Sequence, residues 1–142
     1  MKFDKFSNCY FDFESDDFDI VVNGKKKLRF GGGYKAFLNA VVAIALHQYL
    51  AESGRHGLGV LMMDSPILSL KEGGNETSDA MRKGLFTYLA DNQDFGQVII
   101  VENSIPNIDY KGARLEEYTH DVNRGRYGLL IGYTEEGLIG KA

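Results

Sequence analysis

Two short apolar runs, each closed by an acid, constrain this chain more than any other feature. Gly59-Val60-Leu61-Met62-Met63-Asp64 and Gln97-Val98-Ile99-Ile100-Val101-Glu102 are too short for ordinary helices and show no polar–apolar alternation. Continuous apolar runs of this length mark strands covered on both faces, the pattern of a parallel sheet. Parallel neighbours need a crossover connection, normally a helix. Residues 78–91 supply one, with Met81, Leu85, Phe86 and Leu89 as its inner stripe and Thr77 or Ser78 as its expected cap. The expected class is α/β, a largely parallel sheet flanked by helices, with a β-hairpin before it and another after it.

The leading hairpin is read from alternation. Tyr10-Phe11-Asp12-Phe13 and Phe18-Asp19-Ile20-Val21-Val22 alternate polar and apolar residues, and Asn23-Gly24 offers the positive-φ pair of a tight turn. Lys26 to Phe30 is the expected return strand. Gly31-Gly32-Gly33 follows, and then the period changes. From Tyr34 to Ser53, Phe37, Ala40, Val41, Ile44 and Leu50 keep helical spacing, and other apolar residues fill the remaining sides of the first three turns. Such a helix is buried rather than amphipathic, and Gly54 is its expected stop. In the tail, Arg114 to Tyr118 reads as a strand, and Tyr127 to Tyr133 as part of a hairpin turning at Asn123-Arg124-Gly125. The expected organisation is one domain over 1–142, with a hairpin region (1–30), a central region (31–104) and C-terminal strands (105–142).

Composition excludes several classes. With 142 residues, 44% hydrophobic and 25% charged, the chain can bury a core and is not wholly disordered. A net charge of -4 gives no domain-wide attraction to nucleic acid. The single cysteine, Cys9, forms no internal disulfide, which points to a reducing cytoplasm. Met1 to Asn8 lacks the apolar centre of a signal peptide, and the longest apolar stretch, Ala36 to Leu46, contains Asn39 and is too short to span a bilayer. A soluble protein with no membrane partner is expected. His47, His56 and His120 show no zinc-ligand spacing. Lys25, Lys26, Lys27 and Arg29 form a local basic cluster that can touch a DNA backbone or simply be solvated.

Ligands of open α/β sheets bind beyond the carboxyl ends of the strands, where Asp64 and Glu102 are both expected. One carboxylate there can hold Mg²⁺, and a second can orient or deprotonate an attacking water. A glycine-rich loop opening a buried helix is a candidate phosphate contact. Gly32 and Gly33 let backbone N–H groups approach an anion with no Cβ in the way, and the helix N-terminus favours negative charge.

These parts occur in an ordered series. Phe30-Gly31-Gly32-Gly33-Tyr34-Lys35-Ala36-Phe37 resembles the signature motif of SMC/RecN-like ATPases, bacterial proteins with a coiled coil inserted in an ABC-type head. Val60 to Pro66 looks like the Walker B strand, Ile67 to Glu72 sits at the D-loop, Val98 to Asn103 at the switch strand, and Gly125 to Leu130 resembles a closing hairpin. The resemblance runs from Lys27 onward and is to the C-terminal lobe of the head. It implies that Asp64 serves Mg²⁺, and that the Gly31, Gly32 and Gly33 loop, with Lys35, caps the γ-phosphate of ATP held by an opposite head. It further implies that the assembly acts on DNA in repair, chromosome maintenance or defence.

The chain departs from that pattern at four positions. Gly31 stands where the signature serine is usual, and Tyr34 where a glutamine or glutamate is usual. Ser65 replaces the catalytic glutamate that follows the Walker B aspartate, leaving it beside the nucleotide without a base's chemistry. Glu102 or Asn103 stands in place of the switch histidine. Glu102 is the favoured substitute base, with Glu72 the other candidate. No G-x-x-x-x-G-K-[ST] occurs, so nothing here cradles the α and β phosphates. By the resemblance, the chain begins where the coiled coil would return, and ATP turnover requires an N-terminal lobe or second head carrying the P-loop. Two further readings stand beside this one. The chain can be a non-catalytic module that docks on an ATPase head. It can also be a metal-dependent nuclease domain, with Asp79, Asp91 and Asp94 as candidates for a further acid.

Overall fold

The computed structural model describes residues 8–14, 19–57, 59–67, 76–119, 121, 123, 126–127, 132–134 and 137–139. Among the described residues the fold is mixed α/β, with a small parallel sheet and two α-helices. The chain divides into two compact units, Met1–Lys111 and Gly112–Ala142.

The first unit opens with a three-stranded antiparallel sheet in the order β1 (Cys9–Asp12), β2 (Asp19–Val22), β3 (Lys25–Lys26). Asn23 (φ 50°) and Gly24 (φ 74°) make the tight turn between β2 and β3, as the Asn-Gly pair requires. The return strand is shorter than the alternation suggests. After Lys26 the chain tightens into a 3₁₀ turn, Lys27–Arg29, where the Phe30 N–H donates to the Lys27 carbonyl at 3.0 Å. The turn places the Lys27 ammonium 2.7 Å from Asp19 and 2.9 Å from the side-chain oxygen of Asn39. Continuing the strand would lose that pairing for the buried Asp19 carboxylate.

Helix α1 spans Gly32–Ser53. Along its first three turns Phe37, Leu38, Ala40 and Ile44 are buried, and Asn39 points outward. Gly54 ends it, though not through a left-handed conformation. Its φ is -78°, its N–H donates to the Leu50 carbonyl at 3.1 Å, and a Cβ there would lie 2.6 Å from that oxygen. Close approach, not positive φ, demands the glycine. The described helices include none long and apolar enough to cross a membrane.

Strand β4 (Val60–Asp64) follows, then α2 (Glu76–Asp91) and β5 (Gln97–Val101). The two strands pair in parallel, with Val60 opposite Gln97 and Asp64 opposite Val101, as the two apolar runs imply. Helix α2 starts earlier than its apolar stripe suggests. Ser78 therefore lies inside the helix, buried, and does not cap it. Asp79 puts negative charge in the first turn, which the helix dipole favours. The core joins Ile20 and Val22 of β2, Phe37 and Ile44 of α1, Met63, the loop residue Ile67, Met81 and Leu85 of α2, and Phe95. Leu61, Val98 and Ile100 face it from the sheet.

The other face of β4 and β5 is different. Val60, Met62 and Val101 are exposed at 42%, 68% and 56%. Among the described residues, each of these two strands pairs only with the other. Strands that read as buried on both faces are here covered on one.

In the second unit, the expected strand over 114–118 is confined to β6 (Tyr118–Thr119), which pairs with β7 (Arg126–Tyr127) in parallel, not as a hairpin. After β6 the Asp121 N–H donates to the Thr119 hydroxyl oxygen at 2.7 Å, and the Asn123 N–H to the Asp121 carboxylate at 2.9 Å. A tight turn at 123–125 would instead bring the strands together antiparallel. A hairpin does close this unit, formed by β8 (Gly132–Thr134) and β9 (Gly137–Ile139). Arg124 and 128–130 lie outside the described residues.

Candidate functional site

The parallel pairing of β4 and β5 brings Asp64 and Glu102 to the same sheet edge, because Asp64 is opposite Val101 and Glu102 is the next residue. Their surroundings differ. Asp64 is exposed, and its Oδ1 accepts the Ser65 hydroxyl at 3.0 Å. Ser65 leaves the strand in the left-handed region, φ 49°, while its N–H donates to the Val101 carbonyl at 2.8 Å. That bond turns the chain across the end of β5. An exposed carboxylate at a parallel strand's carboxyl end is available to a hydrated divalent cation.

Glu102 is half-buried and engaged. Its Oε1 accepts the Ile67 N–H at 3.1 Å, fastening the loop that leaves β4 to the end of β5. Ile67, the residue so held, is fully buried. The second oxygen, Oε2, is buried and has no hydrogen-bond partner among the described residues. One oxygen thus does structural work, and the other is shielded from solvent.

Arg82 belongs to this edge too, and sequence reasoning missed it. Its Nη2 donates to the Ser104 carbonyl at 3.1 Å and its Nη1 lies 3.5 Å from Asp79, while its Nε is buried without a partner among the described residues. It ties α2 to the segment leaving β5. Tyr110 braces the same segment by donating to the Pro106 carbonyl at 2.7 Å and setting its ring edge against Phe86. Burial raises the Tyr110 hydroxyl pKa against the opposing pull of Arg82. An arginine on a helix reads in sequence as solvated, and no local signal announces its carbonyl partner.

At the signature-like loop, Gly31 caps α1 with φ -64° and no side-chain hydrogen bond, and its carbonyl accepts the Lys35 N–H at 3.0 Å. Gly31 and Gly32 are exposed, and a Cβ at either meets nothing within 4 Å. Neither needs to be glycine for the chain's own packing. Gly33 and Lys35 are half-buried in the first turns. The last turns of α1 border the amino ends of β4 and β5, where they line a cleft with Gly59 and Gly96.

The acids considered for a nuclease are otherwise engaged: Asp91 pairs with Lys111 and Asp79 with Arg82. Among the described residues no three His, Cys, Asp or Glu side chains gather as a metal site. Asp94 lies on the cleft at the opposite end of the strands. Desolvation pushes the Cys9 thiol pKa up, away from an activated thiolate. Glu72 and the rest of the D-loop-like segment beyond Ile67 lie outside the described residues, as does His120. No protein-family model matches the chain, and no curated protein matches it significantly.

Proposed function

We propose that this chain is the C-terminal half of an SMC-like ATPase head, working in ATP-driven DNA transactions once a second polypeptide lobe supplies the P-loop. The observation that carries the reading is the parallel β4–β5 pair, which brings Asp64 and Glu102 to one carboxyl edge. In this reading Asp64 holds Mg²⁺, directly or through water, and Ser65 orients the Asp64 carboxylate through its hydroxyl. Glu102 acts as the substitute base, and its Oε1 keeps the loop in place. Gly31, Gly32 and Gly33 offer backbone N–H groups to the γ-phosphate of ATP on an opposing head, with Lys35 adding positive charge nearby.

The uncovered sheet face supports a missing lobe. Parallel strands are normally sandwiched, and Val60, Met62 and Val101 form an apolar surface that a further layer would cover. The open space around Gly31 and Gly32 supports a role between chains, since the fold itself does not use their lack of a side chain.

The test is Mg-ATP turnover by the chain reconstituted with a P-loop lobe from a neighbouring or parent gene. Gly32→Ala meets no steric obstacle within the chain and should leave the fold intact. It should lower turnover at least tenfold by placing a methyl group where the phosphate approaches. Full turnover by this variant would remove the signature role.

One observation favours a second reading, a non-catalytic module that docks on an ATPase head. Ser65 replaces a base, and the substitute Glu102 already spends one oxygen on the Ile67 N–H. Stable association with a head lobe and no stimulated turnover would establish that reading instead.

A further inference from the structure

We draw no further inference here: the strongest candidate, the cleft of about 350 Å³ at the amino ends of β4 and β5, is lined by His47, Asp94 and Phe95, but its unpartnered nitrogen, His47 Nε2, is buried against Gly96 out of a ligand's reach, and nothing else there specifies a ligand chemistry.

Discussion

At Ser65 the backbone takes φ 49° with a side chain that pays a steric cost for it, roughly 1 kcal/mol relative to glycine. Its hydroxyl donates to Asp64, so the strain sits beside the carboxylate proposed to hold Mg²⁺. Ser65→Gly should leave stability within about 1 kcal/mol of the parent, since relief of strain and greater unfolded-state freedom oppose each other. The same variant should weaken Mg²⁺-dependent turnover by freeing the Asp64 carboxylate, which paired denaturation and ATPase assays would show. Asp19 offers a cleaner electrostatic test. Burial acts to raise its pKa, but the Lys27 ammonium, the Ile20 N–H and the charge of Lys26 outweigh it and leave the carboxyl below its ordinary value. A folded-state pKa below the unfolded one contributes stability that is fully present above the unfolded value, about 3.9. That stability is lost as pH falls through the lowered folded value. Lys27→Met should cost about 2 kcal/mol at pH 7, the loss of charge-assisted bonds to a buried carboxylate. The difference between variant and parent should shrink below about pH 4 as Asp19 protonates. Urea midpoints at pH 7, 5 and 3 measure it, and an unchanged difference at pH 3 would contradict the pairing. At Glu102, Gln keeps an acceptor for the Ile67 N–H whereas Ala strands it, so Ala should destabilise by about 1–3 kcal/mol and Gln by less. Turnover lost in the Gln variant, with the fold retained, would separate base from clamp.

Among the elements, β4 and β5 were legible because unbroken apolar runs have one economical explanation, and their parallel pairing follows from the helix between them. The glycine loop and α1 were legible from the change of period at Tyr34. What the sequence did not show depended on partners distant along the chain. The 3₁₀ turn at Lys27 exists because Asp19 and Asn39 converge on one ammonium, and nothing local to Lys27 marks that. The parallel β6–β7 pairing was hidden because turn residues near Asn123 suit a hairpin equally well. The carboxylates at the sheet edge were visible as strand-end acids, whereas Glu102's bond to Ile67 and Arg82's bond to Ser104 emerge only from packing. Gly96 shows how an element's start is fixed. It has φ 116°, and a Cβ there would lie 2.9 Å from the Gly59 carbonyl and 3.0 Å from His47 Nε2. Gly96→Ala should destabilise the first unit by 2 kcal/mol or more, roughly the strain of a disallowed backbone with a backbone clash added. A thermal melt unchanged by the substitution would show that the junction is not held this way.

For the whole molecule, the exposed apolar face of a two-stranded parallel sheet is the feature most at odds with a self-sufficient fold. Met62, at 68% exposure, stands at its centre opposite Ile99. Met62→Lys should leave the isolated chain's stability within about 0.5 kcal/mol, as an exposed substitution does. It should weaken binding of a P-loop lobe by tenfold or more, because a methionine buried at an interface contributes roughly 1.5–3 kcal/mol and a buried lysine adds a desolvation cost. Calorimetric titration of parent and variant with that lobe would register the difference. Equal affinity would place the lobe elsewhere. The measurement that bears most directly on function is Mg-ATP hydrolysis by this chain, alone and mixed with a P-loop lobe, with Asp64→Asn as the matched control. Turnover only in the mixture, lost in Asp64→Asn, is the expected result. A stable complex without turnover, or turnover indifferent to Asp64, would contradict the assignment of this edge to nucleotide hydrolysis.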